Sequence, residues 1–173
     1  YGITKGLKNS IYVTVGTGIG VGVYADGKLL HGMTHPEAGH IYLKRHPKDA
    51  FAGGCPFHGD CLEGLAAGPA IEKRWGKKGV ELTDRKEVWE LEAWYLAQAC
   101  ANYCMLYSPE RIVLGGGVMK QPSLLPMIRE AFPKHLAGYI RTEKVEDVEN
   151  YIVPASLGDN QAVLGCLRLA LGE

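Results

Sequence analysis

Three residues with metal-binding side chains, Cys55, His58 and Cys61, recur at every third position of one short segment. Pro56 and Gly59 interrupt regular structure between them, so all three side chains can turn inward from a tight loop. Thiolate and imidazole are ligands that zinc prefers, and a structural zinc site closes four tetrahedral positions with protein groups. The spacing therefore predicts a zinc loop.

The fourth ligand of such a site has to come from outside the loop. We take His40 as the best candidate, because it ends a turn-forming step at residues 38–39 just before a polar, glycine-rich excursion of the chain. His31, His35 and His46 have less constrained surroundings. A Cys-His-Cys-His site with one remote ligand would fix this excursion to the body of the domain.

Two carboxylates bracket the candidate ligands. Glu37 precedes His40 by three residues and Glu63 follows Cys61 by two, so a bound metal would hold both near each other. Ionised carboxylates only accept hydrogen bonds, which suits a hydroxyl-rich ligand. Two alternatives stay open. Glu63 could simply favour the start of a helix, and the loop could hold two small buried cysteines and a surface histidine, His58.

A glycine-rich turn follows the first predicted strand, residues 11–15. It lacks the Gly-Lys-Ser/Thr ending of a Walker loop, and Gly22 leads into another strand instead of the helix that a dinucleotide fingerprint opens. The backbone at Gly16 and Gly18 can let N–H groups approach an anion, with the Thr17 hydroxyl as a further donor. These glycines could equally serve only the twist and packing of a hairpin.

Length and composition exclude several classes of function. The chain has 173 residues, which suits one domain with a sizeable core, and its 19 basic residues equal its 19 acidic ones. This balance favours no nucleic acid partner, and no apolar run predicts a membrane span or signal peptide. We therefore expect a cytoplasmic protein, with Cys100, Cys104 and Cys166 as core thiols.

The order of elements predicts the fold class. Three strands form an antiparallel meander, with a strong hairpin signal at residues 26–27. Helices and strands then alternate, with the longest helix over residues 84–107 and an apolar last helix over residues 158–171. This order predicts an α/β domain whose mixed sheet is extended by parallel crossovers.

Five segments together closely resemble the ROK family of sugar kinases and repressors: residues 13–20, 37–40, 55–63, 114–118 and 157–160. The resemblance covers essentially the whole chain, with the motifs in the family's order. It implies the actin-like, ribonuclease H-like ATPase fold. It also implies transfer of the γ-phosphate of ATP, bound with Mg²⁺, to a hexose hydroxyl.

The resemblance also implies roles for single residues. ATP-binding positions would be Gly16, Thr17, Gly18, Pro69, Gly115, Gly116 and Gly117. Sugar-binding positions would be Glu37, His40 and Glu63, and the zinc ligands would be His40, Cys55, His58 and Cys61, with the zinc loop spanning residues 40–61. The usual family loop carries three cysteines. The version with a central histidine resembles bacterial fructokinases of the family, so we favour fructose as the acceptor.

The family's general base, an aspartate, and its first phosphate loop are expected upstream of residue 1. We therefore expect residues 1–173 to be the C-terminal domain of a two-domain kinase and to be inactive alone. The last helix would pack on the N-terminal domain, and the tryptophan-rich helix 84–107 and its neighbours would offer apolar surface for a homodimer. The alternatives are a sugar-sensing repressor of the same family and a zinc-stapled interaction module.

Overall fold

The computed structural model describes residues 2–171 around a five-stranded mixed sheet. The strands are β1 Ser10–Val15, β2 Ile19–Ala25, β3 Lys28–Leu29, β4 Arg111–Gly115 and β5 Ile152–Pro154. Their order in the sheet is β3-β2-β1-β4-β5. The first three strands pair antiparallel, whereas β4 pairs parallel with β1 and with β5. This confirms the predicted meander extended by parallel crossovers.

The first two strands show why the sequence forms this sheet. Their β-branched residues alternate with small or polar ones, so one face is apolar and buried while the other stays more open. The buried side chains are Ile11, Val13, Val15, Ile19, Val21 and Val23. Asp26 and Gly27 both adopt positive φ between β2 and β3, as the two-residue hairpin signal predicts.

The helices pack mainly on the apolar face of this sheet. They are α1 Leu62–Ala66, α2 Gly68–Trp75, α3 Lys86–Tyr107, α4 Leu124–Leu136, α5 Glu143–Glu146, α6 Val148–Tyr151 and α7 Gln161–Ala170. Residues of α1, α3 and α4 share one buried core with the sheet. Within residues 2–171, the helices are all too short or too polar to cross a lipid bilayer.

Two local features differ from or add to the predicted order of elements. The longest helix, predicted over residues 84–107, begins at Lys86 in the structure, and Glu87 in its first turn pairs with Arg85. The charged segment 141–150 contains α5 and α6. There the Thr142 hydroxyl accepts a hydrogen bond from the backbone N–H of Val145, a regular helix cap.

The C-terminal helix is exposed on its apolar side. A 3-10 turn, Gly158–Asn160, precedes α7, so the last segment is two elements and not the single helix 158–171 that we predicted. The uncovered apolar side chains of this segment include Val163, Leu164, Leu167 and Leu171. Cys100 and Cys104 are buried as predicted, but Cys166 is exposed because it lies on this helix, which corrects its assignment as a core thiol.

Candidate functional site

The four predicted metal ligands form one cluster. His40, Cys55, His58 and Cys61 each offer a donor atom, and these atoms all lie within 4.8 Å of one another. The Cys55 Sγ lies 3.7 Å from Nδ1 of His40 and 3.7 Å from Nδ1 of His58, and the Cys61 Sγ lies 3.5 Å from Nδ1 of His40. A tetrahedral zinc ion requires sulfur and nitrogen ligands to be about 3.6 Å apart. The donor set and its spacing therefore fit zinc.

The loop that carries three of these residues is closed by its own backbone. Cys55 and Gly59 exchange two hydrogen bonds, with N···O distances of 3.1 and 3.0 Å. Gly59 adopts a positive φ of 66°, which lets the chain reverse between the ligands. A Cβ added at Gly64, in α1, would lie 2.0 Å from the Gly59 carbonyl oxygen, so the loop packs directly on α1. This tight turn brings the three side chains to one side.

The surroundings shift the pKa values of the two thiols in opposite directions. Burial would raise the pKa of Cys55, but backbone N–H groups of His58 and Phe57 stabilise the thiolate and lower that pKa below the usual value. Burial raises the pKa of Cys61. A cluster with one thiol already biased toward thiolate suits a cation, because thiolates are the form that binds metal.

The remote candidate ligand, His40, is held by the body of the domain. His40 ends the 3-10 turn Ala38–His40, and the Tyr103 hydroxyl of α3 donates a 2.8 Å hydrogen bond to the Ala38 carbonyl. A Cβ at Gly39 would lie only 1.8 Å from the Ile19 carbonyl oxygen. Glycine at this position therefore allows the turn to lie against β2, which fixes where His40 points.

Glu63 joins the metal cluster to the glycine turn. It lies in the first turn of α1, and its Oε1 is 3.9 Å from Nε2 of His40. Its Oε2 accepts a 2.9 Å hydrogen bond from the Ile19 backbone N–H, and a Cβ at Gly18 would be 2.7 Å from the same oxygen. An outward-facing nitrogen of a metal-binding histidine beside a carboxylate is a common arrangement in metal sites.

Glu37, the other predicted sugar ligand, is placed differently. Its side chain is 64% exposed and forms an ion pair of 3.0 Å with His35, while its backbone carbonyl accepts the His40 N–H. The turn therefore brings the backbone of Glu37 next to His40 but directs its carboxylate to the surface. Glu63 and His40 are brought together as predicted, and Glu37 is paired with a residue outside the predicted site.

A cavity of about 770 Å³ lies on the other side of the glycine turn. Four of the seven predicted ATP-binding residues line it: Gly16, Thr17, Pro69 and Gly117. The backbone N–H of Gly68, which begins α2, donates a 2.8 Å hydrogen bond to the Gly16 carbonyl. The turn after β1, the start of α2 and the turn after β4 thus converge on one cavity.

The other three predicted ATP-binding glycines do not line the cavity. Gly18 lies against Glu63, as described above, and a Cβ at Gly115 would be 2.5 Å from the Tyr12 hydroxyl. Gly116 has a φ of 96°, and its Cβ would be 2.4 Å from the Val15 carbonyl oxygen. These two glycines allow close packing of β4 on β1, so that Gly117 reaches the cavity.

Several cavity residues were not found by sequence reasoning. Lys78 and Lys120 line it and give it cationic groups, and the side chain of Val80 at its edge is 83% exposed. Lys78 lies in the short polar segment 76–79 that follows α2. Lysine and glycine in a short loop are common, so local composition held no signal for a role at this cavity.

Comparisons with known proteins agree with this arrangement. The sequence profile of the ROK family matches residues 1–173. The chain belongs to the ROK family. A protein of Bacillus subtilis (strain 168) is 51% identical over 171 residues, which cover 98% of this chain and 57% of that protein. The fructokinase of Pediococcus pentosaceus is 49% identical over 169 residues, with 98% and 58% covered.

The fold comparison supports the same family. The ROK hexokinase of Thermus thermophilus superposes with a TM-score of 0.79 at 26% identity, over 99% of this chain and 61% of that one. The predicted actin-like ATPase fold is thereby confirmed. The chain spans less than two thirds of the length of these relatives, so it corresponds to a portion of them.

Proposed function

We propose that this chain contributes the sugar site, a structural zinc site and part of the ATP site to the phosphorylation of a hexose, with fructose as the favoured acceptor. The observation that carries the proposal is the position of Glu63. Its carboxylate lies beside His40 of the metal cluster and against Gly18 of the glycine turn, whose other side borders the large cavity. A hydroxyl-binding carboxylate would thus stand next to a phosphate-binding turn, as phosphoryl transfer requires.

The cavity is the proposed nucleotide site. Backbone groups at Gly16 and the hydroxyl of Thr17 would face the phosphates, while Pro69 and Gly117 would form part of the cavity wall around the rest of the nucleotide. Lys78, which also lines the cavity, would favour the negative charge of the phosphates. Mg²⁺ would enter bound to ATP, where it neutralises charge on the transferred group.

The zinc proposed for the cluster is structural. His40, Cys55, His58 and Cys61 would fill all four positions, which leaves none open for a water or substrate oxygen. These residues would hold the loop closed and fix the ring of His40 so that its Nε2 faces Glu63. The loop therefore acts by orienting the sugar-binding side chains.

Fructose is favoured as the acceptor because the 49% identical relative is a fructokinase. Glu63 and His40 would bind its hydroxyls directly. Glu37 would join them by leaving His35 and turning inward, since its backbone is already next to His40. A sugar sensor would have no use for the cavity beside the glycine turn, which weighs against the repressor alternative.

The carboxylate that accepts the hydroxyl proton is proposed to lie in the N-terminal portion that the relatives have in addition. Asp49 and Asp60, both between His40 and Cys61, are paired with arginines. Of the residues described, those that line the cavity include one carboxylate, Glu72, and no aspartate. We propose that this portion docks on the exposed apolar side of α7, that the kinase acts in the cytoplasm and that it works as a homodimer. The buried state of most of α3 leaves little of that helix for a dimer contact.

The test is an assay of ADP release with ATP, Mg²⁺ and fructose, glucose or mannose. The chain is assayed alone and after mixing with the N-terminal remainder of the Pediococcus pentosaceus fructokinase. We expect fructose-dependent turnover only in the mixture, and its loss with Glu63→Gln. Light scattering of the same samples reports the oligomeric state. Turnover by the chain alone would refute the placement of the base, and sugar binding without any turnover in the mixture would favour the sensor.

A further inference from the structure

A buried ion pair joins the segment between His40 and Cys55 to α2. Asp49 and Arg74 are only 3% and 7% exposed, and the guanidinium donates from Nε and Nη2 to the two carboxylate oxygens over 3.2 and 3.1 Å. The Tyr95 hydroxyl of α3 adds a 2.6 Å hydrogen bond to Asp49 Oδ2. Fork-shaped pairs of this kind fix both partners in position as well as in charge.

The surroundings of the pair restrict it further. The guanidinium of Arg74 lies 4.7 Å from the ring centre of Phe51 and 5.8 Å from that of Tyr95. The backbone N–H of Phe51 donates to Asp49 Oδ1, and that of His46 donates to the Tyr95 hydroxyl. Backbone N–H groups of His46 and Phe51 therefore depend for their hydrogen bonds on the group formed by Asp49, Arg74 and Tyr95.

A second arginine connects this segment to the zinc loop. Arg45 donates to Asp60 Oδ2 over 3.2 Å and to the backbone carbonyls of Asp49 and Phe51. Asp60 directly precedes the metal ligand Cys61. Residues 41–61, here called the excursion, thus have two attachments to the domain, the metal cluster at one end and the Asp49–Arg74 pair near the middle.

We propose that Asp49, Arg74 and Tyr95 form a metal-independent anchor, which holds residues 46–51 on α2 and α3 and thereby positions Cys55 and Cys61 for zinc. Arg74 is then a positioning residue. Its helix, α2, begins at the cavity with Gly68, so one short helix links the excursion to the nucleotide side of the domain. The second half of this inference rests on the proposed zinc site, whereas the first half does not.

The anchor predicts two separate zones of hydrogen exchange. When zinc is chelated from the wild-type chain, the amides of Cys55 and Gly59 should lose protection, while those of His46, Asp49 and Phe51 should keep theirs. Arg74→Met leaves a buried carboxylate without its partner. This should accelerate exchange of the second group by about a hundredfold or more, the size expected for breaking a buried ion pair.

The matched control is Arg85→Met. Arg85 likewise pairs with a carboxylate, that of Glu87, and lies 5.0 Å over the ring of Trp75, but the side chains of Arg85 and Glu87 are about half exposed. Its loss should leave exchange in residues 46–51 unchanged, because exposed pairs contribute little. Arg74→Lys keeps the charge without the fork and should give an intermediate rate. Zinc release to a chromogenic chelator should be at least about tenfold faster in Arg74→Met than in Arg85→Met.

The outcomes separate the two proposals. Loss of protection at residues 46–51 on chelation of the wild-type chain, or equal exchange in the Arg74→Met and Arg85→Met chains, would overturn the anchor. A chain that takes up no zinc would refute the metal site, and the anchor would still be judged by exchange in the two variants. If Arg74→Met does not fold, Tyr95→Phe decides. It removes only the hydroxyl that accepts a hydrogen bond from the His46 N–H and donates one to the Asp49 carboxylate. Unchanged exchange at the backbone amides of His46 and Asp49 would overturn the anchor.

Discussion

Substitution of Gly39 by alanine tests whether the turn that carries His40 must lie against the sheet. The added Cβ would be 1.8 Å from the Ile19 carbonyl oxygen. Carbon and carbonyl oxygen approach no closer than about 3.3 Å, so the turn and β2 would have to separate by roughly 1.5 Å. Forced overpacking of this kind costs about 1–3 kcal/mol or more. The same shift would move His40 away from the two cysteines.

The assay for Gly39→Ala is urea denaturation combined with measurement of bound zinc. We expect a loss of about 3 kcal/mol in the free energy of unfolding and a clear fall in zinc content. The control is Gly22→Ala in β2, the strand that Gly39 contacts, where a Cβ would meet nothing within 4 Å. If the two variants had the same stability and the same zinc content, the inference that this contact positions His40 would be refuted.

Three further predictions concern the metal and two carboxylates. Chelation of zinc should lower Tm by about 10 °C, measured by circular dichroism, and an unchanged Tm would contradict a structural role. Burial raises the pKa of Glu92 well above its ordinary value although Arg74 opposes this, so the folded state loses stability as pH rises above about 4.3. Glu92→Gln should therefore stabilise the chain at pH 7 by about 1 kcal/mol or more in urea, with no gain near pH 4; a gain independent of pH would refute this. The hydrogen bond from Lys144, together with two backbone N–H donors, lowers the pKa of Glu110 to about 2. Its contribution to stability is present above the ordinary pKa and lost as pH falls toward 2, so Glu110→Gln should flatten the acid limb of the stability profile, and an unchanged limb would contradict it.

The parts of the site that were predicted from sequence depend on short-range spacing. Cys55, His58 and Cys61 lie within one turn-forming loop, so their residue types and spacing already restrict what they can do. His40 was found because a tight turn precedes it. The alternating β-branched residues of the first strands and the hairpin signal likewise determined the sheet over a few residues each.

The parts that were missed depend on contacts between distant segments. Asp49 and Arg74 are 25 residues apart, and neither lies in a pattern that marks it as buried. An arginine near the C-terminal end of a short helix interacts favourably with the helix dipole. This role is sufficient to explain its position without an ion pair to a distant residue. The exposed pairing of Glu37 with His35 was missed for a different reason, since spacing fixes the backbone of a turn but not the direction of its side chains.

The position of Glu63 explains why a zinc loop would be useful in the proposed kinase, whose chemistry would not use zinc. One oxygen of this carboxylate is bound by the Ile19 N–H of the glycine hairpin, and the other faces the ring of His40, a proposed metal ligand. A loop free to move would let His40 turn and leave Glu63 held on one side only. With the loop closed on a metal, both sides of the carboxylate are fixed. The proposed sugar site and the proposed phosphate-binding turn would then keep a constant distance, and phosphoryl transfer depends mainly on such positioning.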